Sequence, residues 1–270
     1  MITDWDDAYA NAAYIADGER WPDAWVAPAQ RWRETCGARA LLDLSYGDAP
    51  RNRFDLFLPE GAPRGLVVFI HGGYWLALDK SYWSHLSRGP LERGFAVAMP
   101  SYTLCPEARI GGIVREVAAA IAAAAARVEG PIFITGHSAG GHLAARMAAL
   151  PSPLSPEIAA RIAHVVPISA LADLRPLMRT EMNETLRIDD AEAAAESPAL
   201  LAPLPGARVT CWVGADERPE FRRQSALLAN VWTGLGIATA LVEEPGRHHF
   251  DVIDGLEDPD HPLTRTLLGE

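Results

Sequence analysis

Residues 132–150 read IFITGHSAGGHLAARMAAL. Four apolar residues, a Gly-His-Ser-Ala-Gly pentapeptide and an Ala/Leu-rich run predict a buried strand, a sharp turn and a helix in immediate succession. A serine at the centre of that turn is thrust above the strand ends. Gly136 and Gly140 remove the side chains that would clash there, and the helix N-terminus favours negative charge developing near the Ser138 hydroxyl. Ser138 is therefore the candidate nucleophile.

Similar strand-like runs recur along the chain. LVVFIH (66–71), FAVAMP (95–100), VVPIS (165–169), VTCWVG (209–214) and IATALVE (237–243) are largely continuous apolar runs, as expected of strands covered on both faces. RFDLFLP (53–59) alternates and predicts a half-buried strand. Helical stretches at 82–93, 112–128, 140–150 and 218–232 lie between them. This order predicts one α/β domain over 1–270, with a mostly parallel central sheet and helices on both faces. Ligands of such sheets bind beyond the carboxyl ends of the strands. Two segments stand outside the alternation: an aromatic-rich helical stretch over 1–40, and residues 170–205, which are expected to form a small helical cap over the site.

Composition narrows the function classes. The chain has 270 residues, 49% of them hydrophobic, with a formal net charge of −11. An acidic surface without a basic run argues against nucleic acid and anionic membranes as partners. Cys36, Cys105 and Cys211 have neither metal-ligand nor redox spacing and read as reduced, buried thiols. The acidic start lacks a secretory pattern, and the Ala-rich run 117–128 is too short to span a bilayer, so a soluble cytoplasmic protein is expected. A small-molecule acyl compound is the expected partner, and a homodimer stays open.

A serine nucleophile needs a base, an orienting acid and donors for the oxyanion. HGGYW (71–75) follows a buried strand, so Gly72 and Gly73 can bring backbone amides close to a reacting carbonyl, and the Ala139 amide adds a third donor. His71 reads as a residue that holds this loop by hydrogen bonding. The acid should follow the next-to-last strand: Asp216 is the first carboxylate off it, with Glu217 and Glu220 as competitors. The base should follow the last strand, where His248 and His249 are adjacent and only one can face Ser138. His248 and Asp251 form no metal-ligand cluster, and the chemistry requires no metal or cofactor.

HGGYW, GHSAGGHLAA, ADERPEFRRQS and HHFDVI together resemble the arylformamidase (kynurenine formamidase) group of α/β hydrolases, and the likeness extends over nearly the whole chain. The residue before Phe250, His249, matches the base of that group. The resemblance implies Ser138, Asp216 and His249 as triad, Gly72, Gly73 and Ala139 as oxyanion donors, and Tyr74 and Trp75 near the acyl pocket. By position alone, His137 within the pentapeptide and His248 beside His249 are further pocket candidates. The N-terminal YANAA departs from the tandem asparagine and arginine frequent in relatives, which puts substrate contacts from that region in doubt. The implied activity is cleavage of an aryl formamide such as N-formylkynurenine, placed in tryptophan catabolism. A carboxylesterase for short-chain esters is the alternative. A non-catalytic binding protein on this scaffold would have lost a triad member, and none is missing.

Overall fold

A computed structural model describes residues 2–270. Its centre is an eight-stranded sheet of β1 (Ala40–Ser45), β2 (Arg53–Phe57), β3 (Leu66–Ile70), β4 (Ala96–Pro100), β5 (Ile132–His137), β6 (Ile162–Ile168), β7 (Arg208–Gly214) and β8 (Ala238–Glu244). The spatial order is β1-β2-β4-β3-β5-β6-β7-β8. β2 pairs antiparallel with β1 and β4, and every later pairing is parallel. The helices are α1 (Trp5–Tyr9), α2 (Trp21–Cys36), α3 (Arg88–Glu92), α4 (Ile110–Ala125), α5 (Ala139–Met147), α6 (Pro156–Ala159), α7 (Asn183–Leu186), α8 (Asp190–Glu196), α9 (Pro219–Gly234) and α10 (Pro262–Leu268).

Side chains alternate across a strand, so a continuous apolar run feeds two cores at once. Leu66, Val68 and Ile70 of β3 join one core together with residues of α4, α5 and α9. Val67 and Phe69 join the other, with Trp25 of α2, Leu91 of α3 and Leu267 of α10. The sheet is thus sandwiched between two helical layers, and the fold is that of an α/β hydrolase.

Three elements depart from the sequence reading. β1 has no burial alternation and is bulged between Leu41 and Leu44, which hid it as an edge strand. The stretch expected to be one helix from Tyr82 to Arg93 is instead a 3-10 segment, Lys80–Ser87, followed by the short α3, whose sequence RGPLE carries a glycine and a proline. β8 is the other edge of the sheet and is largely exposed, despite its apolar sequence.

Candidate active site

The turn after β5 presents Ser138. Its backbone, at φ 58° and ψ −115°, lies in a region that L residues rarely adopt. Two close approaches hold it there. The Ser138 amide donates to the Ile168 carbonyl at 2.8 Å, fastening the turn to β6. A side chain at Gly140 would meet the Ile70 carbonyl oxygen at 2.0 Å, so β3 and the first turn of α5 touch backbone to backbone. Ala139, as the first residue of α5, has an amide that no helical carbonyl can use.

The loop after β3 comes equally close. A Cβ on Gly72 would lie 2.8 Å from the His137 carbonyl oxygen and 3.3 Å from Ser138 Cβ. Gly73, Tyr74 and Trp75 follow at φ 100°, 51° and 59°, a left-handed run closed by the Leu76 and Ala77 amides donating to the Gly73 carbonyl. Among the described residues the amides of Gly72 and Gly73 meet no acceptor. His71 acts as the loop's brace. Its Nδ1 donates to the Gly72 carbonyl at 2.8 Å, and its ring stacks 4.2 Å from that of Tyr102, whose hydroxyl donates to the His71 carbonyl. Burial lowers the His71 pKa to about 4, so this imidazole is neutral and structural.

His249 is buried, and its Nδ1 donates to Glu217 Oε2 at 2.6 Å. Glu217 is fully enclosed and accepts two more hydrogen bonds on Oε1, from the Ser169 hydroxyl at 2.5 Å and the Gly214 amide at 2.8 Å. Every lone pair facing the interior thus has a donor, as a buried carboxylate requires. Asp216, the carboxylate expected to meet the histidine, is exposed and its side chain does not reach it. The cause is the turn after β7. The Ala215 and Asp216 amides are tied to the carbonyls of Glu244 and Arg247, while the Glu217 amide donates back to the Gly214 carbonyl. That geometry turns residue 216 outward and residue 217 inward, where the longer glutamate spans the gap.

With Nδ1 occupied, Nε2 is the ring nitrogen of His249 left without a partner among the described residues. Ser138 and His249 line one cavity of about 370 Å³. His137 shares it. Its Nε2 donates to the His249 carbonyl at 2.7 Å and its ring lies 4.6 Å from that of His249, so it steadies the base while burial pushes its own pKa well down. Tyr74 is on the wall as expected, its hydroxyl donating to the Tyr9 carbonyl at 2.7 Å. Trp75 is not: it is completely buried in the core, edge-on to His142. His248 points away from the cavity, packing edge-on against Trp21 and taking the Phe250 and Asp251 amides on its Nδ1. Adjacent residues of an irregular loop diverge, so only His249 of the pair faces Ser138.

The apolar wall comes from Phe250, inside the HHFDVI stretch, and from three residues that no motif flagged: Trp25, Leu78 and Trp83. Half of the sixteen lining residues lie between Tyr9 and Trp25. None comes from 170–205. Leu171, Leu174 and Leu177 in that region are instead buried in the core shared with α4, α5 and α9. Residues 170–205 therefore do not cover this cavity; the N-terminal segment does. The aromatic residues of 1–40 were the available signal. A larger groove of about 740 Å³ beside Trp32 and Arg88 is lined by no serine, cysteine or histidine.

A family model described as BD-FAE matches residues 54–198, more than half of the chain. The chain belongs to the BD-FAE family. The match runs from β2 through the Ser138 turn to α8 and stops before Glu217 and His249. Kynurenine formamidase of Danio rerio is 28% identical over 240 residues, covering 85% of this chain and 81% of that one. A crystal structure from Silicibacter sp. TM1040, provisionally described as a thioesterase, superposes with a TM-score of 0.94 at 50% identity, covering 98% of this chain and 99% of the other. An esterase from Pyrobaculum calidifontis shares the fold at a TM-score of 0.72 and 20% identity, over 93% of this chain and 90% of its own. This BD-FAE member is a hydrolase of ester or amide type. No helix among the described residues is long and apolar enough to cross a membrane, and no cluster of His, Cys, Asp and Glu there could hold a metal ion.

Proposed function

We propose that the protein is a serine hydrolase of aryl formamides, acting through a Ser138–His249–Glu217 triad and an acyl-enzyme. The observation that carries this reading is the buried Glu217–His249 pair, which directs the free imidazole nitrogen to a cavity it shares with Ser138. His249 takes the Ser138 proton as the hydroxyl oxygen attacks the formyl carbonyl. Glu217 keeps the proton on Nδ1 and stabilises the imidazolium. The Gly72, Gly73 and Ala139 amides hold the oxyanion, and His249 then protonates the departing arylamine. Water, deprotonated by the same base, attacks the formyl ester and releases formate and free Ser138.

The cavity supports the aryl half of the reading. Trp25, Trp83, Tyr74 and Phe250 offer flat apolar surface to an aromatic leaving group, while the glycine-bounded end beside Ser138 suits a small acyl group. The Danio rerio kynurenine formamidase, similar over most of the chain, supports N-formylkynurenine as the first compound to try, which would place the enzyme in tryptophan catabolism. Short-chain ester or thioester cleavage is the second reading, favoured by the Silicibacter relative at 50% identity.

The test is kcat/KM on N-formylkynurenine against p-nitrophenyl acetate and butyrate, with Ser138→Ala as control. A preference for the formamide that vanishes in the variant is expected. Ester turnover without formamide cleavage would shift the assignment to esterase, and full activity in Ser138→Ala would remove the nucleophile.

A further inference from the structure

Five consecutive residues, Tyr9 to Ala13, line the cavity, and Asp7 and Tyr14 on either side of them are joined to each other. The Tyr14 hydroxyl donates to Asp7 Oδ1, closing residues 7–14 into a loop. Arg218 holds that loop at its neck. Its Nη2 donates to Asp7 Oδ2 at 2.5 Å and to the Asp7 carbonyl at 2.9 Å, and its guanidinium carbon sits 3.5 Å from the Tyr14 ring centroid. A second tether lies inside. Tyr9 donates to Glu220 Oε1 at 2.8 Å and accepts from Gln224 Nε2 at 3.1 Å. Both anchors leave the same turn, directly after Glu217.

We propose that the Asp7–Tyr14–Arg218 clasp is a specificity-determining device that fixes the N-terminal wall against the leaving group of the substrate. This rests on the proposed site at Ser138 and His249, and adds which half of the substrate the wall reads. Residues 7–14 comprise the end of α1, the two-residue link Ala10–Asn11 and one 3-10 turn, elements too short to hold their own position against the cavity. The clasp supplies that hold: a cation–carboxylate contact, a bond to the Asp7 carbonyl and a cation–π contact share one guanidinium. None of its three side chains lines the 370 Å³ cavity. Its influence on substrate passes through residues 9–13, which makes all three positioning residues.

Two acetates differing only in leaving group isolate the effect. Phenyl acetate and vinyl acetate form the same acetyl-enzyme, so deacylation is common to both and kcat/KM reports the acylation half. Asp7→Ala, at a half-buried position, and Tyr14→Ala, at an exposed one, are expected to lower kcat/KM for phenyl acetate about three- to tenfold. Their kcat/KM for vinyl acetate should stay within about twofold of the parent and Tm should be nearly unchanged, since surface ion pairs contribute little to stability. Asp7→Glu should recover most of the phenyl acetate kcat/KM. Parallel losses on both esters, or no change on either, would overturn the clasp. Because neither ester is a formamide, failure on N-formylkynurenine would bear on the proposed function alone.

Discussion

At the scale of single residues, the assignment of the acid turns on one methylene and one turn. Asp216 and Glu217 are adjacent carboxylates after the same strand, and nothing in their spacing from β7 separates them. What separates them is the Glu217 amide folding back on Gly214, a tertiary consequence of β7 pairing with β8. The turn that carries Ser138 and the loop that carries His249 were legible because each contains or adjoins a motif, whereas the carboxylate that meets the imidazole depends on which way a loop faces. Glu217→Gln should therefore lower kcat by roughly 10²–10⁴, because an amide there no longer holds the imidazole in its productive tautomer. Asp216→Asn should leave kcat within about twofold of the parent. Steady-state kinetics of the two variants, side by side, decides between them.

At the scale of elements, the strands that feed both cores were readable and the edges were not. Burial on two faces leaves an apolar run that announces itself in the sequence, as in β3 and β5. An edge strand is constrained on fewer sides, so β1 shows no pattern, and β8 looked like a covered strand because its apolar residues are tolerated at the surface. The turn after β5 was legible for the opposite reason: its backbone contacts admit only glycine. Gly140→Ala forces a Cβ to 2.0 Å from the Ile70 carbonyl oxygen and 2.5 Å from that of His71, both backbone atoms that cannot swing aside. Thermal unfolding should show a loss on the order of 3 kcal/mol or more. Gly234→Ala, where nothing lies within 4 Å at the end of α9, should leave Tm unchanged or slightly raised.

Across the whole molecule, five buried histidines dictate the response to acid. Burial is the leading cause that lowers His71, His85 and His164 to about 4, His142 to about 3 and His137 well below its ordinary value. Unfolded, each takes a proton near pH 6.5, so below that pH the unfolded chain binds more protons than the native one and stability falls. Their contribution is complete above about pH 6.5 and is lost progressively as pH drops toward about 4, at up to about 1.4 kcal/mol per pH unit for each. Asp254 works the other way. Burial, reinforced by Asp251, raises it to about 7, so between about pH 4 and 7 it favours the native state as pH falls. Asp254 and Glu257, whose carboxyl burial also raises, do not offset five imidazoles, and denaturant midpoints should decline from pH 7 to pH 5. A flat profile over that range would contradict the buried neutral assignment. The cavity has a further consequence that concerns the order of synthesis. Tyr9 finds its anchor 211 residues further along the chain, and His249 and Phe250 close the opposite wall. A ribosome makes the roof of this site well before its proposed base. On that triad a growing chain stays catalytically silent until His249 has emerged, and a product shortened to before that residue should accumulate without any hydrolytic trace of itself.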